Sequence, residues 1–225
     1  FVGAAVVRRC TERNLKIVAC IESVGASGAY YAAMGSDYVI ANDLSITGSI
    51  GVILQSYTFG DLMGKIGVHS YTFKSGKYKD ILNPTREPTV DEQALVQTLI
   101  MQVYEKFVGI VATERQIDVE KLKAGLADGR ILSGKQAKEA GFVDDVGYLD
   151  DAINKAMELA NIKKAKVIRY IRPFSLRNLL QLFGKARRRA GGGLYQRFKI
   201  FRGFFVGEIH LATLLASGQE GAVGV

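Results

Sequence analysis

Histidine and cysteine are scarce in this chain of 225 residues, which contains two of each. A Ser–His–Asp triad needs a histidine beside its serine. His69 begins a predicted strand and His210 lies in a basic tail, so we expect neither to be catalytic. Cys10 and Cys20 lack the C-x-x-C spacing of metal and redox sites, and we expect buried free thiols, with a disulfide as the less favoured alternative. The sequence predicts no metal and no cofactor.

Acidic residues are absent between Lys163 and Arg202, although the chain as a whole has 22 of them. The net charge of +8 therefore comes from the C-terminal part, and the preceding part is slightly acidic. From residue 172 onward, apolar and basic residues alternate irregularly, which is typical of a segment that lies on an anionic membrane surface. Membrane contact through 172–210 and a solvated, disordered tail both stay open, and nucleic-acid binding is the remaining alternative.

Long apolar runs are also missing. The best one, in the tail, is interrupted by Glu208 and His210 and falls short of the ~18 residues of a membrane-spanning helix. The sequence therefore predicts two parts, a domain over 1–171 and a basic amphipathic tail over 172–225.

Strands and helices alternate through the first part. Strands are predicted at 16–22, 37–41, 44–54 with a break at Gly48, 68–73 and 166–171, and helices at 1–14, 28–36, 57–66, 89–113, 119–126, 133–140 and 148–161. A polar loop spans 74–88. Thr89 is expected to cap the long helix at 89–113. Gly141 is expected to end the helix at 133–140. This alternation is typical of a layered parallel α/β domain.

The first strand, a turn of small residues and the next helix place Ser27 where a nucleophile would be exposed. The N–H of Gly28 begins that helix and would be free to donate to a developing oxyanion. The alternative is purely structural, because Gly25, Ala26 and Ala29 would also let a helix pack closely on a strand.

Without a nearby histidine, a lysine would have to activate Ser27. The loop at 74–88 carries Lys74, Lys77 and Lys79. A lysine becomes a base near pH 7 only if its pKa falls by roughly 3 units, through desolvation or a neighbouring cation. A solvated surface loop is the alternative for these three residues.

The segment GRILSGK at 129–135 imitates a phosphate-binding loop. Gln136 stands where such loops have a Mg²⁺-binding Ser or Thr, and no strand is predicted before it. We expect a turn that leads into a helix.

Four segments in order carry a resemblance to a known family: SVGASGAYY, LSITGSIGVI, FKSGKYKDILNPTRE and DGRILSGKQAKEAGFVDDVG. They resemble the signal peptide peptidases of the protease IV family, which are Ser–Lys peptidases with a ClpP/crotonase-like fold. The likeness covers residues 16–161. It implies a layered parallel sheet with flanking helices.

The resemblance also implies roles for particular residues. Ser27 would be the nucleophile, Lys79 the general base, Ser49 the residue that orients the base, and Gly28 an oxyanion donor. Lys74 and Lys77 would be bystanders. Ala29 departs from the family, which usually has a second glycine there, and the family's upstream S-P-G-G segment would end just before residue 1. We therefore expect this chain alone to be inactive or weakly active.

The implied function is a serine endopeptidase that degrades cleaved signal peptides and other membrane-associated peptides. The family forms homo-oligomers with the active site across a subunit interface, and it is membrane-associated with the catalytic domain outside the cytoplasm. A catalytically silent scaffold and a crotonase-type acyl-CoA enzyme on the same fold are the alternatives.

Overall fold

A computed structural model describes residues 15–168, 209–215 and 221–224 of the chain. The chain divides into two units. Residues 50–130 form what we call the helical unit, and the described residues before and after them form the sheet unit. The predicted helix at 1–14 and most of the predicted amphipathic tail at 172–225 lie outside the described residues.

The sheet unit contains eight strands and three helices among its described residues. The strands are β1 (Ile17–Ile21), β2 (Tyr38–Ala41), β3 (Ile46–Gly48), β4 (Ile131–Ser133), β5 (Asp145–Val146), β6 (Ala165–Ile168), β7 (Ile209–Leu215) and β8 (Gly221–Gly224). The helices are α1 (Gly28–Ala33), α5 (Gly134–Glu139) and α6 (Leu149–Leu159).

The main sheet has the strand order β5-β2-β1-β7-β8-β6. The pairs β1–β2, β2–β5 and β6–β8 are parallel, as the alternating pattern predicts, whereas β7 runs antiparallel to both β1 and β8. The predicted parallel layered sheet is thus observed for β1, β2 and β5, and the sheet as a whole is mixed. It is mixed because residues 209–215 and 221–224, which were predicted to belong to the tail, form strands of this sheet.

A smaller sheet pairs β3 with β4 in antiparallel register, with Thr47 opposite Leu132. Strands β4 and β5 are not predicted from the sequence. They are three and two residues long, which is too short for an alternating pattern to be recognised.

The core of the sheet unit is built around β1, whose five residues are all buried. Burial on both faces is typical of a central strand between helices. On one face, Val18 and Cys20 pack against Ala152 and Ala156 of α6. Cys20 is a free thiol, as predicted; Cys10 lies outside the described residues.

The helical unit contains α2 (Gly60–Lys65), α3 (Val90–Arg115) and α4 (Val119–Gly125). The predicted cap of the long helix is confirmed: the Thr89 side chain accepts from the Glu92 N–H, and the Glu92 carboxylate accepts from the Thr89 N–H. Near the middle of α3, the Tyr104 hydroxyl donates to the Ala127 carbonyl oxygen at 2.8 Å, which ties α3 to the segment after α4.

The strand predicted at 68–73 is wrong. These residues have no regular structure, and all of them, including Tyr71 and Phe73, are exposed. An isolated extended segment is not a strand without a backbone partner, and residues 50–130 contain no strand that would provide one.

Helix α3 is long and apolar enough to cross a membrane by length and composition, and 17% of its most apolar window is buried. Leu95, Leu99 and Val103 are exposed along one side of it. Helices of soluble proteins also meet this criterion. The expectation that no segment reaches the length and apolar content of a membrane-spanning helix is therefore wrong for α3, because its few scattered polar residues interrupt the apolar run without making the segment polar on average.

Candidate active site

The turn between β1 and α1 depends on the small residues that the sequence places there. Gly25 is buried, and a Cβ atom built on it would lie 2.7 Å from Cγ2 of Ile21. A larger residue would therefore push the turn away from β1. The predicted strand, turn and helix around Ser27 are confirmed, with the helix ending at Ala33 rather than at residue 36.

Ser27 has a backbone conformation that L-residues rarely adopt, with φ 54° and ψ −121°. Its N–H donates to the Gly48 carbonyl oxygen at 2.8 Å, and the Gly25 N–H donates to that of Ile46, also at 2.8 Å. The buried Thr47 hydroxyl donates to the Gly25 carbonyl oxygen at 2.9 Å. Strand β3 thus holds the turn from three points, which is the kind of support that keeps a strained residue in place.

The N–H of Gly28 has no acceptor among the residues that the structure describes. Nearby N–H groups do have acceptors within the turn. The Ala29 N–H donates to the Ala26 carbonyl oxygen at 3.1 Å, and the Tyr31 N–H donates to the Ser27 carbonyl oxygen at 2.9 Å. Gly28 is exposed and Ser27 is partly exposed. The donor next to the Ser27 hydroxyl is therefore open to a ligand atom.

Ser49 directly follows the residue that accepts the Ser27 N–H. It also has a left-handed backbone, with φ 51°, after Gly48 at φ 73°. Ser49 is half-buried in the same unit as Ser27. The Ser27–Gly48 hydrogen bond thus brings the two predicted site serines into the same neighbourhood.

The three lysines of the 74–88 loop differ in their partners. The Lys74 ammonium lies 2.6 Å from Asp80 Oδ1, and the Lys77 ammonium bonds to the Asp91 carboxylate. The bond to Asp91 raises the pKa of Lys77 above its ordinary value, which makes Lys77 a poor base. Among the described residues, no carboxylate forms an ion pair with Lys79, which is exposed.

Lys79 belongs to the helical unit, whereas Ser27, Gly28 and Ser49 belong to the sheet unit. The pairing of Lys79 with Ser27 therefore stays a prediction from the resemblance.

An ion-pair network that the sequence analysis misses surrounds Arg86. Its guanidinium donates to both Glu92 oxygens, at 2.8 and 2.5 Å, and through Nε to Asp80 Oδ2 at 3.0 Å. Arg86 holds the pKa of Glu92 down to about 2, helped by the Thr89 N–H. It also holds the pKa of Asp80 well below its ordinary range, with Lys74 contributing.

The GRILSGK segment leads into a helix, as predicted, but it does so through strand β4 and not through a turn. Ser133 caps α5, and Gln136 completes a capping box with it. A Cβ atom on Gly134 would lie 1.8 Å from the Asn42 carbonyl oxygen, so the segment packs against the chain rather than around a phosphate. Among the described residues, no group of three or more His, Cys, Asp or Glu side chains is arranged to hold a metal ion.

Comparison with known proteins gives a family match over most of the chain. A sequence model of Peptidase family S49 matches residues 9–163. This range contains Ser27, Gly28, Ser49 and Lys79, and the whole helical unit.

Individual relatives agree with the family match. The chain is 39% identical to a putative signal peptide peptidase of Enterococcus faecium, over 70% of this chain and 45% of that protein. It is 46% identical to a putative protease of Synechocystis, over 68% and 55%, and 32% identical to protease 4 of Haemophilus influenzae, over 71% and 26%. The chain thus spans about half or less of the length of these relatives.

Proposed function

Because the chain belongs to peptidase family S49, we propose that it is a serine endopeptidase in which Ser27 is the nucleophile and Lys79 is the general base. The observation that carries this proposal is the turn at Ser27. A serine in a strained backbone conformation, with a free N–H on the next residue, is suited to attack a carbonyl and stabilise the resulting oxyanion.

The proposed reaction is an acyl transfer. Neutral Lys79 takes the proton of the Ser27 hydroxyl while the Ser27 oxygen bonds to the peptide carbonyl carbon. The carbonyl oxygen becomes an oxyanion and accepts from the Gly28 N–H. The tetrahedral intermediate then breaks the C–N bond, and the leaving amine takes the proton from Lys79. Lys79 then takes a proton from water as the water oxygen bonds to the acyl carbon, and the second tetrahedral intermediate breaks its bond to the Ser27 oxygen. That oxygen takes the proton back from Lys79, which regenerates the Ser27 hydroxyl and the neutral amine.

Ser49 is proposed to orient Lys79 through its hydroxyl. Its position next to Gly48, the acceptor of the Ser27 N–H, supports this role because a group there lies beside the nucleophile. We expect Ser49→Ala to lower the rate without abolishing it, because Ser49 makes no bond to the substrate in this mechanism.

The base must lose its proton to act, and Lys79 is exposed in the single chain. We propose that assembly of a homo-oligomer desolvates it, with the active site formed across a subunit interface. The exposed apolar residues Leu62, Ile66, Tyr71 and Phe73 of the helical unit support a partner surface there.

The fold that we propose is ClpP/crotonase-like. The parallel β1–β2–β5 pairs, with α1 following β1 and α6 packed on the sheet, agree with a layered α/β domain of this kind.

The substrates that we propose are cleaved signal peptides and other membrane-associated peptides. The name of the Enterococcus relative supports this class. A membrane location with the catalytic domain outside the cytoplasm, and contact of 172–210 with an anionic lipid surface, belong to the same proposal. The basic charge of that segment supports the contact.

Covalent labelling of the natural full-length protein with a serine-directed acylating probe tests the mechanism. We expect labelling of Ser27 and cleavage of a fluorogenic peptide, both abolished in Ser27→Ala. Lys79→Ala should lower both by at least about a thousandfold, on the scale of a lost general base and nucleophile activation. Lys77→Ala is the matched control and should keep most of the rate, since Lys77 is paired with Asp91.

Two outcomes would overturn the proposal. If Lys79→Ala keeps the parent rate, another group is the base. If the probe does not label Ser27 in the full-length protein, the chain keeps the fold without the activity.

A further inference from the structure

Asp80 directly follows the proposed base, and both of its carboxylate oxygens are occupied. Oδ1 accepts from the Lys74 ammonium at 2.6 Å, and Oδ2 accepts from Arg86 Nε at 3.0 Å. The Asp80 side chain is only 12% exposed. The carboxylate nearest to Lys79 in sequence is thus bound to two other cations.

Arg86 is in turn fixed by the start of α3. Its two terminal nitrogens bond to the two oxygens of Glu92, whose side chain is 3% exposed. Glu92 also accepts from the Thr89 N–H at 2.8 Å, in the capping box of the helix. A bidentate pair of this kind fixes the orientation of the guanidinium as well as its position. The network therefore links the N-terminus of a 26-residue helix to the residue beside Lys79.

The partners of the Asp80 carboxylate matter because Lys79 must be neutral to act as a base. A carboxylate within about 4–6 Å of an ammonium favours the charged form and moves its pKa up, by ~1–3 units for a close pair. Without Arg86, Asp80 would keep Lys74 on Oδ1, and its Oδ2 would be free to accept from Lys79. Held by Arg86 and Lys74, it leaves Lys79 without an acidic partner.

The other carboxylates of residues 74–92 do not pair with Lys79 in place of Asp80. Asp91 is paired with Lys77, and Glu87 accepts from the Thr58 hydroxyl at 2.6 Å. The cations of these segments are Lys74, Lys77 and Arg86, and cations disfavour a further charge on a neighbouring ammonium.

We propose that Arg86 is a positioning residue for the Ser27–Lys79 pair: it occupies the Asp80 oxygen that would otherwise be free to accept from Lys79, so that Lys79 has no carboxylate partner to keep it protonated. This inference rests on the proposed function. Arg86 touches neither the substrate nor the reacting atoms, and it acts through Asp80.

The test is the pH profile of kcat/KM in the full-length protein, measured with a fluorogenic peptide. In Arg86→Gln, the acidic limb should move to higher pH by about one unit, which is about a tenfold loss on that limb. Adding Asp80→Asn to Arg86→Gln should move the limb back, because the released carboxylate is gone. Arg130→Gln is the matched control: Arg130 forms an exposed pair with Asp128 in the same unit, outside this network, and its loss should leave the limb unchanged.

A merely structural role gives a different result. It would lower kcat/KM equally at every pH, and Asp80→Asn would not restore the profile; that result overturns the inference. If Arg86→Gln does not fold, Arg86→Lys serves instead, since a lysine keeps one charge but cannot bridge both carboxylates. In Arg86→Lys, the acidic limb of the kcat/KM profile should move to higher pH by less than in Arg86→Gln. An acidic limb at the parent's pH would overturn the inference.

The Lys79→Ala variant distinguishes a failure of the proposed function from a failure of the role proposed for Arg86. Retained activity in Lys79→Ala would remove the proposed function. An inactive Lys79→Ala together with an unmoved limb in the folded Arg86 variant would remove only the role of Arg86.

Discussion

The N–H of Ser27 donates to the carbonyl oxygen of Gly48 at 2.8 Å. This bond joins the turn after β1 to β3, and it is formed while Ser27 has φ 54°. The strained backbone and the hydrogen bond thus occur at the same residue. Because the Ser27 N–H is bonded to Gly48, it is not available to an oxyanion. The free donor at this turn is the N–H of Gly28.

Replacing Ser27 should reveal the cost of this conformation. Ser27→Gly and Ser27→Ala both remove the hydroxyl, but only alanine keeps a Cβ atom in a region that L-residues rarely adopt. We expect Ser27→Gly to be at least as stable as Ser27→Ala, by up to about 1 kcal/mol, since strain of ~1–3 kcal/mol is partly offset by the flexibility of glycine when unfolded. Urea unfolding of both variants checks this, and a clearly more stable Ser27→Ala would contradict it.

The close contact at Gly25 gives a second prediction. A Cβ atom there would lie 2.7 Å from Ile21 Cγ2 and 2.8 Å from its Cγ1, in a buried turn. Gly25→Ala should therefore destabilise the protein by roughly 1–3 kcal/mol, the usual cost of overpacking. Gly28→Ala is the control for stability, because nothing lies within 4 Å of a Cβ atom at that position. Equal unfolding midpoints for the two variants would show that the turn relaxes freely.

The sequence predicts best those features that are set by neighbours along the chain. The turn at Ser27, the Thr89 cap and the Ser133 helix start each depend on a few adjacent residues, and all three are confirmed. The fold class also follows, because apolar strands alternate with helices. The roles proposed for Ser27 and Gly28 rest on the same local pattern and on the resemblance, and they stay predictions.

Features that depend on distant partners were missed or wrong. Arg86 and Glu92 lie in a polar stretch, and nothing in their spacing shows that the carboxylate is buried. The residues at 68–73 have the composition of a strand without a strand to pair with, and β5 is too short to have a pattern. Each of these outcomes is decided by tertiary contacts, which outweigh local propensity.

Burial of Cys20 predicts a chemically silent thiol. Burial, with smaller contributions from Glu22 and Asp151, raises the pKa of Cys20 to about 12, so almost no thiolate is present at pH 8. In Cys10→Ser, which leaves Cys20 as the single cysteine of the 225-residue chain, we expect labelling by iodoacetamide at least about 100-fold slower than in free cysteine. The same sample should label readily in urea. Fast labelling in native buffer would mean that the β1–α6 packing opens.

The Arg86–Glu92 pair predicts a loss of stability in acid. Glu92 has a pKa of about 2 in the folded chain against an ordinary 4.5, so the folded state binds fewer protons than the unfolded state between these values. Its contribution to stability is fully present above about pH 4.5 and is lost as the pH falls towards 2. Asp80, whose pKa is also lowered, acts in the same direction.

Urea unfolding at pH 6 and pH 3 measures this linkage. Glu92→Gln should be less stable than the parent at pH 6, because the Arg86 guanidinium loses its charged partner, and should lose less on going to pH 3. Glu139→Gln, at an exposed carboxylate of α5 without an ion pair among the described residues, should follow the parent at both values. If Glu92→Gln falls as steeply as the parent between pH 6 and pH 3, the acid sensitivity comes from other carboxylates and the pair does not hold the start of α3.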